Sequence, residues 1–377
     1  MNAKIEQFFA RENPPTPCLV VDLDQVAGNY AQMKTMATWA DIFYAVKANP
    51  APQLIGCLAA AGSSFDAASP AEIEACLAAG VDPTRISFGN TVKKAKDIMW
   101  AAARGIELFA VDSEGEVDKL AANAPGARVF CRIAVANDGA RWPLSRKFGC
   151  GPDEAIPLLE RAKHAGLRPA GLSFHVGSQQ TEAQRWCEGV NWCAALFDRA
   201  RRAGIELDLV NIGGGFPVHY GDEQIPGMAS MLETIGRAML EMFGDAQPRV
   251  LMEPGRAIVG SAGVIRSEVV LVADRTYGLA QRWVYLDVGR YGGLAETEGE
   301  AIRYRLEVAG RKGPMKPSVV AGPTCDSHDV LYENILYDLP ADIAPGDIVT
   351  LSDTGAYTTT YASVGFNGFA PLEEYYI

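Results

Sequence analysis

Residues 41–80 read DIFYAVKANPAPQLIGCLAAAGSSFDAASPAEIEACLAAG. Asp41–Val46 is a short run rich in β-branched and aromatic residues that ends at Asn49-Pro50, the pattern of a strand closed by a turn. QLIGCLAAAG has helical composition and Gly62 terminates it. A second strand is predicted from Ser63 (SSFDA). The helix SPAEIEACLAAG follows, with Ser69 as cap, Pro70 at its first position, Glu72 three residues after the cap and Gly80 as stop. Strand, helix, strand, helix within one stretch is the repeat of an α/β fold.

The alternation continues downstream. Strands are predicted near Arg85 (RISFG), Glu107 (ELFAV), Arg128 (RVFCRI), Pro169 (PAGLSFH), Leu207 (LDLVNI) and Arg249 (RVLME), which makes eight. Their starts lie about 22 residues apart at first and about 40 later, enough for one helix per interval. Thr181–Gly204 forms the longest helical interval. Eight such units predict a closed (β/α)8 barrel, with an open doubly wound sheet as the competing fold.

After about residue 260 the pattern changes. VIRSEVVLVA, RWVYLDVG, IRYRLEVAG, KPSVVAGP and DIVTLSDTGAYTTTY are strand-like and separated by Gly, Pro and Asp. The expected organisation is a barrel over residues 23–260 and an all-β domain over 261–377, with residues 1–22 joining the latter. The run CLVVDL (18–23) suits a strand that pairs with either unit.

Charge narrows the partners. Thirty-four Lys and Arg against 46 Asp and Glu give a net charge of -12, which repels phosphate backbones and argues against nucleic acid. It favours a cationic small substrate. The longest apolar runs fall short of a membrane span, and the N-terminus MNAKIEQFFARENPP lacks the pattern of a secretory signal. The eight cysteines include no C-x-x-C pair, so reduced thiols in the cytoplasm are expected. His219 and His328 have no partner at metal-ligand spacing, and no metal site is expected.

Active sites of such barrels gather at the C-terminal ends of the strands. Lys47 ends the first strand, Asp66 the second and Arg132 the fifth. His175 and Ser178 follow the sixth, Gly213-Gly214-Gly215 the seventh, and Glu253-Pro254-Gly255-Arg256 the eighth. A lysine ending a buried strand is partly desolvated, which frees its amine as a nucleophile; the plain alternative is a lysine that snorkels from the rim. Glycines let backbone N–H groups approach a phosphate, and Arg256 adds a bidentate donor; the plain alternative is a tight turn. Glu253 suits a partner for a pyridinium nitrogen, or equally an ion pair with Arg132 or Arg256. His175 suits a ring laid on an aromatic cofactor, or a satisfied core histidine. In the β-domain, Gly322–Asp329 is a polar cluster in which Cys325 suits a proton donor and Asp326 an amine-binding group, although a lone cysteine is commonly a small core residue. Tyr357 lies in a predicted turn after a strand, from which a phenol could reach a phosphate.

Seven motifs in this order, FYAVKAN (43–49), FDAAS (65–69), SFHVGS (173–178), GGGFP (213–217), EPGR (253–256), GPTCD (322–326) and FNGF (366–369), resemble the fold-type III pyridoxal-phosphate-dependent decarboxylases of basic amino acids, the ornithine/lysine decarboxylase family. The resemblance runs from about residue 17 to the C-terminus and implies an alanine racemase-like barrel with a C-terminal β-domain. By resemblance Lys47 carries the cofactor as a Schiff base, His175 stacks on its ring and Glu253 pairs with the ring nitrogen. Ser178, Gly215, Arg256 and Tyr357 resemble the phosphate-binding set, Gly213, Gly214 and Gly255 belong with the cofactor-binding residues, and Asp66 and Arg132 match positions near the cofactor. Cys325 resembles the proton donor and Asp326 the carboxylate facing the distal amine; in the family both reach the site from the other subunit of a homodimer. Phe366 and Tyr291 match the substrate pocket. Where eukaryotic ornithine enzymes carry a further aspartate after a tyrosine-glycine pair, this chain has YGGLAETEGE (291–300), in which Glu296, or Glu298 or Glu300, takes that place.

The resemblance implies conversion of ornithine or lysine to putrescine or cadaverine, as in polyamine biosynthesis. The rivals are decarboxylation of arginine, diaminopimelate or carboxynorspermidine on the same fold, a racemase, and a non-catalytic cofactor-binding or inhibitor-like relative. Diaminopimelate ends in a carboxylate, for which Asp326 and Glu296 are poor partners.

Overall fold

Eight parallel strands close into a barrel in the order Asp41–Ala45, Ser64–Ala67, Ile86–Phe88, Leu108–Val111, Arg128–Arg132, Arg168–Ser173, Leu209–Asn211 and Arg249–Met252. The last strand returns to the first, with Leu251 opposite Asp41 and Met252 opposite Ile42, so the open-sheet alternative is excluded. The computed structural model describes residues 2–142, 147–221, 224–277 and 281–377. Phe43, Ala110, Phe130, Ala170, Leu209 and Leu251 form one buried cluster, contributed by six different barrel strands. Alternating strand residues fill the interior, and the strands are nearly continuous in apolar residues because their other face lies under helices.

The helices follow the local signals. Ser69 caps Pro70–Ala78 by accepting the N–H of Glu72 at 3.3 Å. The Glu72 carboxylate does not reach back to Ser69 but takes the N–H of Ala68 at 2.6 Å, one residue earlier than a capping box requires. Gln184–Arg202 buries Trp186, Val190, Cys193 and Phe197, a stripe at three- and four-residue spacing.

The chain forms two compact units. One comprises Ala27–Pro217 and Ile225–Ile258 and contains the barrel; the other comprises Met1–Val26, Val218–Gln224 and Val259–Ile377. The second unit is a mixed sheet whose main path runs Arg305–Val308, Ile348–Ser352, Gly263–Arg275, Gln281–Leu286, Met315–Ala321 and Val330–Pro340. The strand Cys18–Val21 pairs antiparallel with Gly263–Arg266 and parallel with Glu373–Tyr376, which decides its partner. Sequence reasoning did not anticipate the helix Ala3–Glu12, whose Ile5 and Phe8 pack on Val20 and Val264, nor the strands Val330–Pro340 and Glu373–Tyr376. Among the described residues no helix is long and apolar enough to cross a membrane.

Candidate active site

The first barrel strand stops at Ala45, and Val46–Ala48 makes one 3-10 turn. The turn is fixed by Asn49, whose N–H reaches the carbonyl of Val46 at 3.1 Å and whose own carbonyl accepts the Tyr44 hydroxyl at 2.9 Å. Val46 and Ala48 are buried while Lys47 is exposed. The expectation of a desolvated lysine is therefore corrected. Lys47 is the exposed residue of this turn.

Three carboxylates, Asp66, Glu72 and Glu253, and one histidine feel the charge of Lys47. Asp66 comes from the second strand and is buried; its Oδ1 accepts the Ser87 hydroxyl at 3.0 Å. A Cβ at Gly89 would sit 2.0 Å from that oxygen, so only glycine fits there. Burial pushes the Asp66 carboxyl up, and Lys47 and then Ser87 pull against it. Glu253, after the eighth strand, is pushed up to about 7 by burial and then by the charge of Asp66, with Lys47 and Asn211 opposing. Asn211, at the end of the seventh strand, donates its side-chain amide to Glu253 and accepts the N–H of Gly213 at 2.9 Å. Glu253 is hydrogen-bonded to Asn211, while Arg132, one of the arginines weighed from the sequence, acts on it through its charge.

His175 accepts the N–H of Gly177 on Nδ1 at 3.0 Å, so the neutral ring carries its proton on Nε2. Burial, then the charges of Arg132 and Lys47, hold its pKa well below the usual histidine range. Arg132 ends the fifth strand with its guanidinium 5.0 Å from the Phe148 ring centroid. Burial lowers its pKa, yet a guanidinium stays charged at neutral pH.

Gly213 and Gly215 have φ of +67° and +98°, and a Cβ at Gly214 would meet the Glu253 carbonyl at 2.4 Å. The loop is thus glycine by necessity of fold as well as for any ligand. The Gly213 N–H is taken by Asn211, which leaves the anion-binding expectation to Gly214 and Gly215. Buried Arg256 bonds Ser178 Oγ through Nη2 at 3.2 Å, which puts a guanidinium and a hydroxyl together. Gly255 packs against Ala45 and Ala48, beside the turn that bears Lys47. These residues fit pyridoxal phosphate: an exposed amine for its aldehyde, a carboxyl of raised pKa for its ring nitrogen, a neutral histidine, and a glycine-arginine-serine set for its phosphate.

The remaining predicted residues, Tyr291, Glu296, Cys325, Asp326, Tyr357 and Phe366, belong to the other unit. There Cys325 is exposed while seven other cysteines are buried or half-buried, contrary to the plain expectation for a lone cysteine. Burial, then the charge and hydrogen bond of Asp326, push the Tyr291 phenol up, and Phe366 lies 4.5 Å from the Tyr291 ring. Glu296 is buried, whereas Glu298 pairs with Arg290 at 2.8 Å and Glu300 accepts the N–H groups of Glu333 and Asn334. Tyr357 holds φ +55°, an uncommon strain for a bulky residue.

Two residues of this unit escaped sequence reasoning. Asp329 is buried and gathers the N–H of Arg290 at 2.7 Å, the Thr324 hydroxyl at 2.7 Å and the Thr324 N–H at 3.1 Å. Asn367 accepts the N–H of Cys325 at 2.8 Å. Their signals were the polar cluster Gly322–Asp329 and the FNGF motif; Asn211, missed in the barrel, stands two residues before the triple glycine.

Fold and site together define a (β/α)8-barrel enzyme of the pyridoxal-phosphate class. Residues 23–260 match the family profile of the pyridoxal-dependent decarboxylases, pyridoxal binding domain. The chain is 39% identical over 355 residues to the lysine/ornithine decarboxylase of Selenomonas ruminantium, covering 94% of this chain and 88% of that protein. The solved lysine/ornithine decarboxylase of Vibrio vulnificus, complexed with cadaverine, superimposes with a TM-score of 0.89 at 32% identity, over 100% of this chain and 99% of that one. The arginine decarboxylase of Paramecium bursaria Chlorella virus gives a TM-score of 0.91 at 27% identity, with both chains covered fully at 100%. The chain belongs to the fold-type III pyridoxal-phosphate-dependent basic amino acid decarboxylases.

Proposed function

We propose that this chain decarboxylates L-ornithine and L-lysine, releasing CO2 and leaving putrescine and cadaverine for polyamine synthesis in the cytoplasm. The observation that carries the reading is the placement of Glu253, tied by Asn211 to the glycine loop and within electrostatic reach of Lys47. The Glu253 carboxylate would face the ring nitrogen there and stabilise its protonated form. When bound, pyridoxal phosphate supplies the conjugated ring that takes up the electron pair left as CO2 departs.

The chain's own residues do the rest. Lys47 would hold pyridoxal phosphate covalently through its Nζ. Neutral His175 would face the ring, and Ser178, Gly214, Gly215, Arg256 and Tyr357 would hold the phosphate. Asp66 and Arg132 balance charge around the ring. Cys325 Sγ gives its proton to the carbon that lost the carboxylate. Asp326, with Tyr291, Glu296 and Phe366, receives the distal ammonium, since a buried cation needs an anionic partner. The working form is a homodimer in which Cys325 and Asp326 of one copy serve the Lys47 site of the other. The exposed position of Cys325 supports this sharing.

Assay of CO2 and diamine from ornithine, lysine, arginine and diaminopimelate tests the reading. Ornithine and lysine should be turned over well, and Lys47→Ala should abolish turnover. Agmatine as the main product would move the substrate to arginine, the rival with a similar fold; turnover of none would leave a cofactor-binding relative.

A further inference from the structure

The turn Phe366-Asn367-Gly368-Phe369 carries more than a pocket wall. Asn367 Oδ1 accepts the backbone N–H of Cys325 at 2.8 Å across 42 residues of sequence. The residues flanking Cys325 are held by others. Thr324 is bound to Asp329, and Asp326 Oδ1 accepts the N–H of His328 at 2.8 Å. Cys325 itself stands exposed at the tip, and Asn367 is the hydrogen-bond partner that holds its backbone. The neighbouring Phe366 packs on Tyr291, which bonds Asp326. One short turn therefore braces the thiol residue directly and the adjacent carboxylate through an aromatic pair.

The backbone explains why asparagine stands there. Asn367 has φ +50° and ψ +17°, the left-handed region, which asparagine, aspartate and glycine enter most readily. The position demands positive φ and a short side-chain acceptor together. Aspartate meets both demands, glycine the first alone, and alanine neither.

We propose that Asn367 is the positioning residue for Cys325, setting where the thiol delivers its proton; this rests on the reading of Cys325 as proton donor. In that step the Sγ–H bond breaks, a C–H bond forms at the carbon that lost CO2, and solvent returns a proton to the thiolate. A thiol displaced by an ångström still permits substrate binding but slows this transfer.

The test uses the holoenzyme and three variants, with two readouts: kcat and KM for the better of ornithine and lysine, and the rate at which iodoacetamide alkylates Cys325, followed by peptide mass. Asn367→Gly keeps the backbone angle and loses the acceptor. It should lower kcat about tenfold, the scale of one hydrogen bond, with KM changed less than about twofold. Its Cys325 alkylation rate should shift about threefold or more. Asn367→Asp, which keeps the acceptor, should restore both readouts to within about twofold of wild type. Asn367→Ala should fall below glycine because it adds backbone strain. Wild-type kcat and alkylation in Asn367→Gly, or an aspartate variant no better than glycine, would overturn the proposal. If Cys325→Ala kept full kcat, the proton-donor reading would fall instead, and the alkylation rates would still decide whether Asn367 places the thiol.

Discussion

The side-chain amide of Asn211 donates to the carboxylate of Glu253, and its oxygen accepts the N–H of Gly213 at 2.9 Å. One buried asparagine thus registers an acid from the eighth strand against the loop after the seventh. A donor aimed at a carboxylate favours its charged form, so Asn211 opposes the burial that pushes Glu253 up.

Asn211→Ala should move the acid limb of the kcat profile to higher pH. Without the amide, Glu253 protonates more readily, and a protonated carboxyl no longer stabilises a ring cation. Cofactor affinity should weaken about tenfold, since the glycine loop loses its brace as well. Profiles between about pH 5 and 9, with cofactor titration of the stripped protein, check both expectations. An unmoved acid limb would show that Glu253 is set by burial alone.

Glu253 should also make stability depend on pH. Its pKa rises from 4.5 to about 7 on folding, so between those values the folded chain holds a proton that the unfolded chain has lost. Stability from this group is present below pH 4.5 and declines as pH rises through 7. In cofactor-free protein, Glu253→Gln should raise Tm at pH 8 and match wild type near pH 4.5; in the cofactor-loaded enzyme its turnover should fall. Equal melting curves at both pH values would contradict this.

Two glycine-to-alanine changes should act with opposite sign. Gly89→Ala puts a Cβ 2.0 Å from the Asp66 carboxylate, so Asp66 must move and Ser87 lose its shorter hydrogen bond, keeping the Phe65 carbonyl at 3.5 Å. A loss of about 1–3 kcal/mol is expected, with weaker cofactor binding. Gly28 lies inside the helix Leu23–Met36 with open space around it. Gly28→Ala should stabilise by about 0.4–1 kcal/mol. Denaturant midpoints of the two variants give the comparison.

Asp329→Ala should loosen the loop that bears Cys325 and Asp326. It strands the N–H of Arg290 and both donors of Thr324, and Gly289 and Gly322 have no Cβ to fill the gap. Half-buried donors left without a partner cost about 1 kcal/mol each, the low end for buried groups. Limited proteolysis should open at residues 322–329, and Thr324→Val should give a weaker form of the same effect. Protection equal to wild type in both would assign the loop's order to other contacts.

Much of the fold was legible locally. The eight barrel strands, the Ser69 cap and the glycine stops each depend on a few adjacent residues, and the chain uses them as the periodicity implies. The order of the site motifs was likewise legible, because barrel topology brings successive strand ends to one rim. The helix Ala3–Glu12 was missed because it is short and weakly apolar, and Glu373–Tyr376 because its four residues gain their strand character from pairing with Cys18–Val21.

The sequence by itself determined the alternation of strands and helices, the change to short strands near residue 260, and which residue types meet at the strand ends. Only the tertiary structure decided that Lys47 stands exposed, that Glu253 holds its proton to about pH 7, and that Asn211, Asp329 and Asn367 hold the groups beside them. The physical reason is range. Backbone preference and apolar period act within a few residues, whereas desolvation, charge and side-chain hydrogen bonds depend on neighbours that chain closure brings together from 42 residues away, as at Cys325 and Asn367.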